Sequence, residues 1–411
     1  MDHLSLYGYG LNTTPNIDRL AQSSVVFDQC ITPVPVTAPS HASILTGLEI
    51  HRHGVLDNGF RFNDSVDTLA EVLSRKKYSN YAFVNIDFME SNGFEQGFND
   101  DKTIFLSDSF KLTDILMDKL DKSKSTPFFM WIHYFDPHSS YMPREPFRSR
   151  FTQDKLEFME IMDLVDKAHP QDNFVKQLNS LYDGELNQVD YNVGRIIDQL
   201  EENNLLNSTI IVIVADHGES IYEHGELTHG EYVYDTTIHV PLVIYSPMLP
   251  DPLNVKRQVS LLDIFPTLLY WLDATTTNDV DGENLEKAIF SPEADNSVYY
   301  SQRRLIQGEI TNDSHFQESL TKRYSARSLP YKLIRFQNLR LDPPPFSYEL
   351  YNILDDPLEE KNIYKENPDI AETLNNSLNE WLNTGRNNKI SSMPELDNKT
   401  IMRLRELGYI N

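Results

Sequence analysis

The run Thr209–Ala215 is apolar and β-branched at nearly every position, with no polar residue alternating through it. Such a strand must be buried on both faces, as in the interior of a parallel sheet. Tyr81–Asn85, Pro127–Phe135 and Val240–Ser246 read as further strands. Between them the apolar spacing turns helical. Thr14 and Pro15 open a helix as N-cap and first residue, with Ile17 and Leu20 facing inward. Asp67 is expected to cap a helix over Thr68–Lys76. Leu178, Leu181, Val189, Val193, Ile197 and Leu200 recur at helical spacing along Phe174–Leu200, and Ser260–Ala274 reads as helix despite Pro266. Strands alternating with helices predict an α/β fold: a mainly parallel central sheet with helices on both faces.

The pattern changes after Thr277. Asn296–Ser301, Tyr331–Gln337 and Ser347–Leu354 look like short strands, and Glu372–Leu382 and Asn398–Leu407 like helices. This predicts a large domain over residues 1–277 and a smaller α+β subdomain over residues 278–411. Leu341–Pro345 reads as a stiff extended loop within the subdomain.

Charge narrows the partners. With 62 acidic and 36 basic residues, the formal net charge is -26. A polyanion needs a basic surface, so nucleic acid is excluded as a partner and an anionic membrane surface is disfavoured. The single cysteine, Cys30, has no internal partner and sits in the apolar run Val25–Ile31. No stretch approaches the roughly 18 apolar residues of a membrane span. Met1–Gly10 lacks the basic and apolar regions of a signal peptide, so the chain as given is expected to be cytoplasmic.

Four segments offer chemistry. Asp216, His217, Gly218 and Glu219 follow directly on the buried strand, where α/β sheets bind ligands. The Asp–His pair suits a divalent cation, although a helix cap with a surface histidine fits the same residues. Thr37–Gly47 reads as a short helix, with Pro39 at its first position and Gly47 past its end. Thr37 then lies at a helix mouth that attracts anions, where a metal-activated hydroxyl could attack phosphorus; an ordinary cap is the alternative. His133, Asp136 and His138 fall at and beyond the end of the Pro127–Phe135 strand. His133 alternates into the apolar strand as a packed core residue, and His138 is the better proton donor to a leaving oxygen. His224 and His229 share a glycine-bearing loop, and His229, followed by Gly230, is preferred.

Together these residues resemble the sulfatase family of the alkaline phosphatase superfamily, along nearly the whole chain. Leu6–Gly10 with Thr13–Leu20 looks like the family's opening segment. Thr37–Gly47 looks like its nucleophile motif, usually Cys/Ser-x-Pro-Ser-Arg. Asp183–Leu200 with Ile210–Glu219 looks like its long helix and metal strand. Tyr234–Leu242, and Glu349–Glu359 with Asn362, match further signatures. The resemblance implies one divalent cation, by family most often Ca with Mg, Mn or Zn as alternatives, held by Asp216 and His217. It places Thr37 at the nucleophile position, Ser40 and His41 at the anion, and His138 and His229 where the family holds the anion or protonates the leaving oxygen. The substrate implied is a small-molecule, glycan or lipid-type sulfate or phosphate ester.

The sequence departs from the family pattern in three places. Thr37 carries a methyl group on its carbinol carbon, so no formylglycine is expected, and threonine here is usual in relatives that cleave or transfer phosphoesters. His41 replaces the motif arginine, removing a permanent positive charge, and Ala82–Phe88 lacks the usual Lys and His. The family's first strand ends in a metal-binding Asp about five residues before the position of Asp2. Its absence here predicts an N-terminally shortened copy, with exposed neighbouring strand edges and weak metal binding. The alternative is a catalytically degenerate protein that keeps the fold to bind an anionic ligand.

Overall fold

The computed structural model describes residues 1–86, 89, 92–98, 103–106, 108–122, 126–153, 172–249, 252–303, 321–338, 345–384 and 402. The parallel sheet is found in two pieces. In the first, Val25–Ile31 is flanked on one side by Leu253–Val255 and Val259–Ser260, both parallel to it. On its other side lies His239–Tyr245, followed by Ile211–Val214. His239–Tyr245 runs antiparallel to both neighbours, so this piece is mixed. The second piece orders Thr103–Phe105, Ser79–Val84 and Phe128–His133, all parallel.

Side-chain alternation explains the layers. Val26, Val243 and Ile213 pack against Ile17, Ala21 and Val193, from the helices Pro15–Ala21 and Asp172–Glu202. Val25, Phe27, Leu242, Ile244 and Val212 face the other way, toward Ile264, Leu285 and Ile289. In the second piece, Ala82, Val84 and Trp131 meet Ala38, Ala42 and Leu45 of the helix Thr37–Thr46. Phe83, Met130 and Ile132 meet Leu112 and Leu116 of the helix Ser109–Lys122. Both pieces therefore carry helices on both faces.

Several helix ends differ from expectation. The helix Leu69–Arg75 is capped by Thr68, not Asp67: Thr68 and Glu71 form a reciprocal capping box. Asp67 instead accepts from Arg75 at 3.0 and 2.8 Å and from the Thr277 backbone N–H at 2.8 Å. The helix Thr37–Thr46 starts two residues earlier than expected, so Pro39 sits third, still within the first turn where no N–H is needed. Gly47 ends it at φ 68°, and a Cβ there would lie 2.9 Å from the Phe265 ring. The segment from Ser260 is a 3-10 turn, Leu261–Asp263, then the helix Ile264–Trp271, with Pro266 in its first turn.

The C-terminal sheet is antiparallel, in the order Tyr299–Arg303, Thr321–Ser328, Tyr331–Asn338, Phe346–Asn352. The helix Pro368–Thr384 packs Ala371, Leu374 and Leu378 on Tyr324, Ala326, Leu333 and Leu350. Thr321–Ser328 is a strand that was not among those expected. Its buried positions include Arg323, Ser325 and Arg327, so it carries no apolar alternation. The expected helix Asn398–Leu407 lies outside the described residues except for Met402, as do residues 341–344 of the loop.

His53, fully buried beside the nucleophile-motif helix, ties acid sensitivity to this packing. Its Nδ1 accepts from the Val55 N–H at 3.1 Å, so its Nε2 donates to Ser43 Oγ at 3.1 Å. Burial, assisted by His51, lowers its pKa from 6.5 to about 3. The folded state therefore holds this proton less tightly than the unfolded chain. Its contribution to stability is complete above the unfolded value and is lost as pH falls toward the folded value, at about 1.4 kcal/mol per pH unit. Unfolding free energies measured across that window should show a shallower acid slope for His53→Gln by about one proton. Identical slopes would remove His53 from the acid transition.

Candidate active site

The carboxyl ends of Ile211–Val214 and Phe128–His133 meet the first turn of Thr37–Thr46, and the candidate residues gather there. Thr37 Oγ1 lies 3.2 Å from His217 Nε2, across 180 positions of sequence. His217 Nδ1 is 2.9 Å from the Gly218 carbonyl. A carbonyl only accepts, so Nδ1 carries the ring proton and Nε2 presents its lone pair. That lone pair also faces Asp216 Oδ2 at 3.3 Å. Two acceptors at this separation repel unless a proton or a cation lies between them. Gly218 makes the approach possible, because a Cβ there would lie 2.0 Å from the Thr236 carbonyl oxygen.

Ser40 and His41 were expected at the anion. Ser40 Oγ instead donates to the Asp216 carbonyl at 2.7 Å, tying the helix to the strand end. His41 Nε2 lies 3.6 Å from Asp216 Oδ2, and its ring meets His133 edge-on at 4.6 Å. The Ala38 N–H donates to Asn58 Oδ1 at 2.9 Å, so part of the helix mouth is already satisfied.

His138 and His229 do join the cluster. The His229 ring lies 4.0 Å from that of His217 and 5.1 Å from that of His138. His229 Nδ1 donates to Glu219 Oε2 at 2.8 Å, and Glu219 also accepts from the Tyr141 hydroxyl at 2.7 Å. His229 follows Thr228, a β-branched residue at φ 74°, a backbone state held only by its surroundings. Arg303 helps to hold it, donating to the Gly230 carbonyl and to Asp57 Oδ2. His224 lies elsewhere, stacked on Tyr234 at 3.6 Å and bonded to the Leu358 carbonyl.

Burial works against charge throughout the cluster. It lowers His133 to about 3 and His138 to about 4, and lowers His41 and His229 as well. It raises Glu219. Burial also opposes ionisation of Asp216, yet His217, His41, His133 and His229 around it hold its carboxyl at about 2. Burial thus disfavours the charged form at His41, His133, His138 and His229, while the Asp216 carboxyl stays ionised.

Such a donor set suits a divalent cation. Asp216 Oδ2, both nitrogens of His41 and His133 Nδ1 are buried with no hydrogen-bond partner among the described residues. His41, His133 and Asp216 bring one ligand atom each to within 4.8 Å of one another. Sequence alone treated His133 as a packed core residue. Its alternation pointed that way, and its place at the carboxyl end of a parallel strand was the available signal for a site. Glu219, Tyr141 and Arg303 were not singled out; each acts through another side chain or the backbone.

A cavity of about 510 Å³ lies on the C-terminal sheet, lined in part by His224, Tyr232, Tyr234, Arg323, Phe336 and Glu349. Tyr232 stands three residues beyond His229, and the Arg323 guanidinium lies 4.3 Å over its ring. Among the described residues, no helix is long and apolar enough to cross a membrane.

The sulfatase family profile matches residues 1–274, and the profile for the C-terminal part of N-sulphoglucosamine sulphohydrolase matches residues 223–387. The N-acetylglucosamine-6-O-sulfatase of Bacteroides thetaiotaomicron is 24% identical, over 88% of this chain and 80% of that protein. Arylsulfatase K of Homo sapiens is 22% identical, over 90% of this chain and 77% of that protein. Among solved structures, the phosphonate monoester hydrolase of Agrobacterium radiobacter superposes with a TM-score of 0.77 at 20% identity, covering 93% of each chain. A structure in complex with its substrate D-glucosamine-2-N,6-O-disulfate superposes with a TM-score of 0.76 at 22% identity, covering 94% of this chain and 96% of that one.

Proposed function

The chain belongs to the sulfatase family, and on that premise we propose that it hydrolyses a sulfate or phosphate ester with the Thr37 hydroxyl as nucleophile. The observation that carries this reading is the 3.2 Å approach of Thr37 Oγ1 to the lone pair of His217, beside the Asp216 carboxylate. Asp216 and His217 would hold a divalent cation, which would supply a Lewis acid to polarise the ester and lower the hydroxyl pKa.

The chain's own residues do the rest. Helix packing holds the Thr37 hydroxyl oxygen beside His217 Nε2, where both could face a bound cation, and the Thr37 proton is released to solvent as the oxygen attacks. Attack forms a bond from Thr37 Oγ1 to sulfur or phosphorus and breaks the ester bond. The departing oxygen takes a proton from the side of His138 and His229. Burial disfavours the charged form of both, so the proton is taken up from solvent as the anionic substrate binds beside them. Water then releases the Thr37 ester. Glu219 fixes the His229 ring so that its Nε2 points away from the carboxylate.

Sulfated sugars are the favoured substrate class, supported by the glucosamine sulfatase among the relatives and by the disulfated glucosamine bound in a structural neighbour. Thr37 and the phosphonate monoester hydrolase neighbour support phosphorus esters. Turnover measured on aryl sulfates, aryl phosphates, a phosphonate monoester and sulfated glucosamine tests the reading; no hydrolysis of any, with divalent metal supplied, would overturn it. The anion-binding alternative is favoured by His41 in place of a permanent cation, and it predicts binding without turnover.

The aromatic cavity is the proposed seat of the sugar. Tyr232→Ala should raise KM for a sulfated saccharide about tenfold, the scale of one lost ring contact, with kcat on a small aryl ester unchanged. Equal KM values would place the sugar elsewhere.

A further inference from the structure

We propose that His41, His133 and Asp216 form a second cation site, so that the pocket holds two divalent ions with the Asp216 carboxylate shared between them. This goes beyond the nucleophile assignment and shares only Asp216 with it. Asp216 Oδ2 has His217 Nε2 on one side at 3.3 Å and His41 Nε2 on another at 3.6 Å. Ligands about 2.1 Å from one first-row metal in tetrahedral geometry stand roughly 3.4 Å apart, so both spacings are coordination edges. His217 is absent from the convergent group of His41, His133 and Asp216, whose ligand atoms lie within 4.8 Å of one another. The carboxylate therefore has one imidazole beside it from His217 and a separate convergent pair from His41 and His133.

The second observation is the lack of any other partner. His41 and His133 are 7% and 8% exposed. Neither nitrogen of His41, nor His133 Nδ1, nor Asp216 Oδ2 has a hydrogen-bond partner among the described residues. Buried polar atoms normally find partners, and a cluster of four without one needs an explanation. Around them are Trp131, 5.3 Å from the His41 ring, and the apolar core of Ala38, Ala42 and Phe94. No Lys or Arg pairs with Asp216 among the described ion pairs. The donors are imidazole nitrogens and one carboxylate, a set that selects zinc, manganese or iron over calcium.

The test uses the full chain, stripped of metal and titrated with zinc, manganese or calcium alone, with bound ion counted by elemental analysis. Wild type should take up two equivalents of zinc or manganese. His41→Gln and His133→Gln, whose folding is checked by circular dichroism, should each retain one. Cobalt(II) should give an absorption band in wild type that loses its second increment in His133→Gln. Equal uptake by wild type and both variants, or a single equivalent in wild type, would overturn the proposal. Thr37→Ala should keep both ions, so a failure of the nucleophile assignment would appear as unchanged turnover with metal content intact.

Discussion

Replacing Thr37 by alanine is expected to lower kcat on any accepted ester by about three to five powers of ten while leaving the fold and the metal content unchanged. The substitution removes the hydroxyl together with a packed methyl group, and Thr37 is 3% exposed, so no water takes the oxygen's place without rearrangement. Thr37→Ser keeps the oxygen and loses a packed methyl group, so it should retain most of the rate. Activity in Thr37→Ala near that of wild type would take Thr37 out of the mechanism. Steady-state kinetics on the two variants, with thermal unfolding as the folding control, decide this.

The second large effect lies in the fold. Asp235→Ala is expected to destabilise the protein by about 3–5 kcal/mol, the usual cost of leaving buried charges unpaired. Asp235 accepts from Arg327 Nη2 at 2.9 Å and from Lys332 Nζ at 2.8 Å. Lys332 is 0% exposed and Arg327 2%. Lys332 also meets Glu359 Oε1 at 2.8 Å, and Glu359 accepts the Asp235 backbone N–H at 2.6 Å. This network joins the C-terminal sheet to the segment that leads from His229 into His239–Tyr245. Glu359 alone leaves two buried cations with one carboxylate. Denaturant titration measures the loss, and a difference under about 1 kcal/mol would show that solvent reaches the pair and screens it.

The legible parts of the fold share one property. Ile211–Val214 and His239–Tyr245 carry apolar residues on both faces, so a continuous apolar run announced them. Thr321–Ser328 escaped because its inward positions hold Arg323 and Arg327, which donate to the Glu231 backbone carbonyl and to Gln258 and Asp235. A buried charge looks like a surface charge until its partner is known, and those partners lie tens of positions away. The cap at Thr68 was missed for a related reason: Asp67 is an equally good cap by type, but Arg75 and Thr277 engage it.

The site divided in the same way. Thr37, Asp216, His217, His138 and His229 stood out through motifs and through their places after strands, and the fold gathers all five. Ser40 and His41 were legible as site residues, but their partners were not: Ser40 bonds to a backbone carbonyl and His41 turns to the carboxylate. His133 was hidden by its own alternation inside an apolar strand. Histidines thus occupy the positions of the motif arginine and of the strand end, and this substitution is what makes the pocket a candidate for ion pairs rather than for fixed cations.

During turnover the Thr37 oxygen is expected to form a covalent bond to substrate. Rapid acid quench of the metal-loaded protein during turnover, followed by peptide mass spectrometry, reads this directly. The predicted result is a sulfuryl or phosphoryl adduct on the peptide that contains Thr37, absent from Thr37→Ala. Burst-free turnover by wild type with every quenched peptide unmodified would contradict it and assign the attack to water.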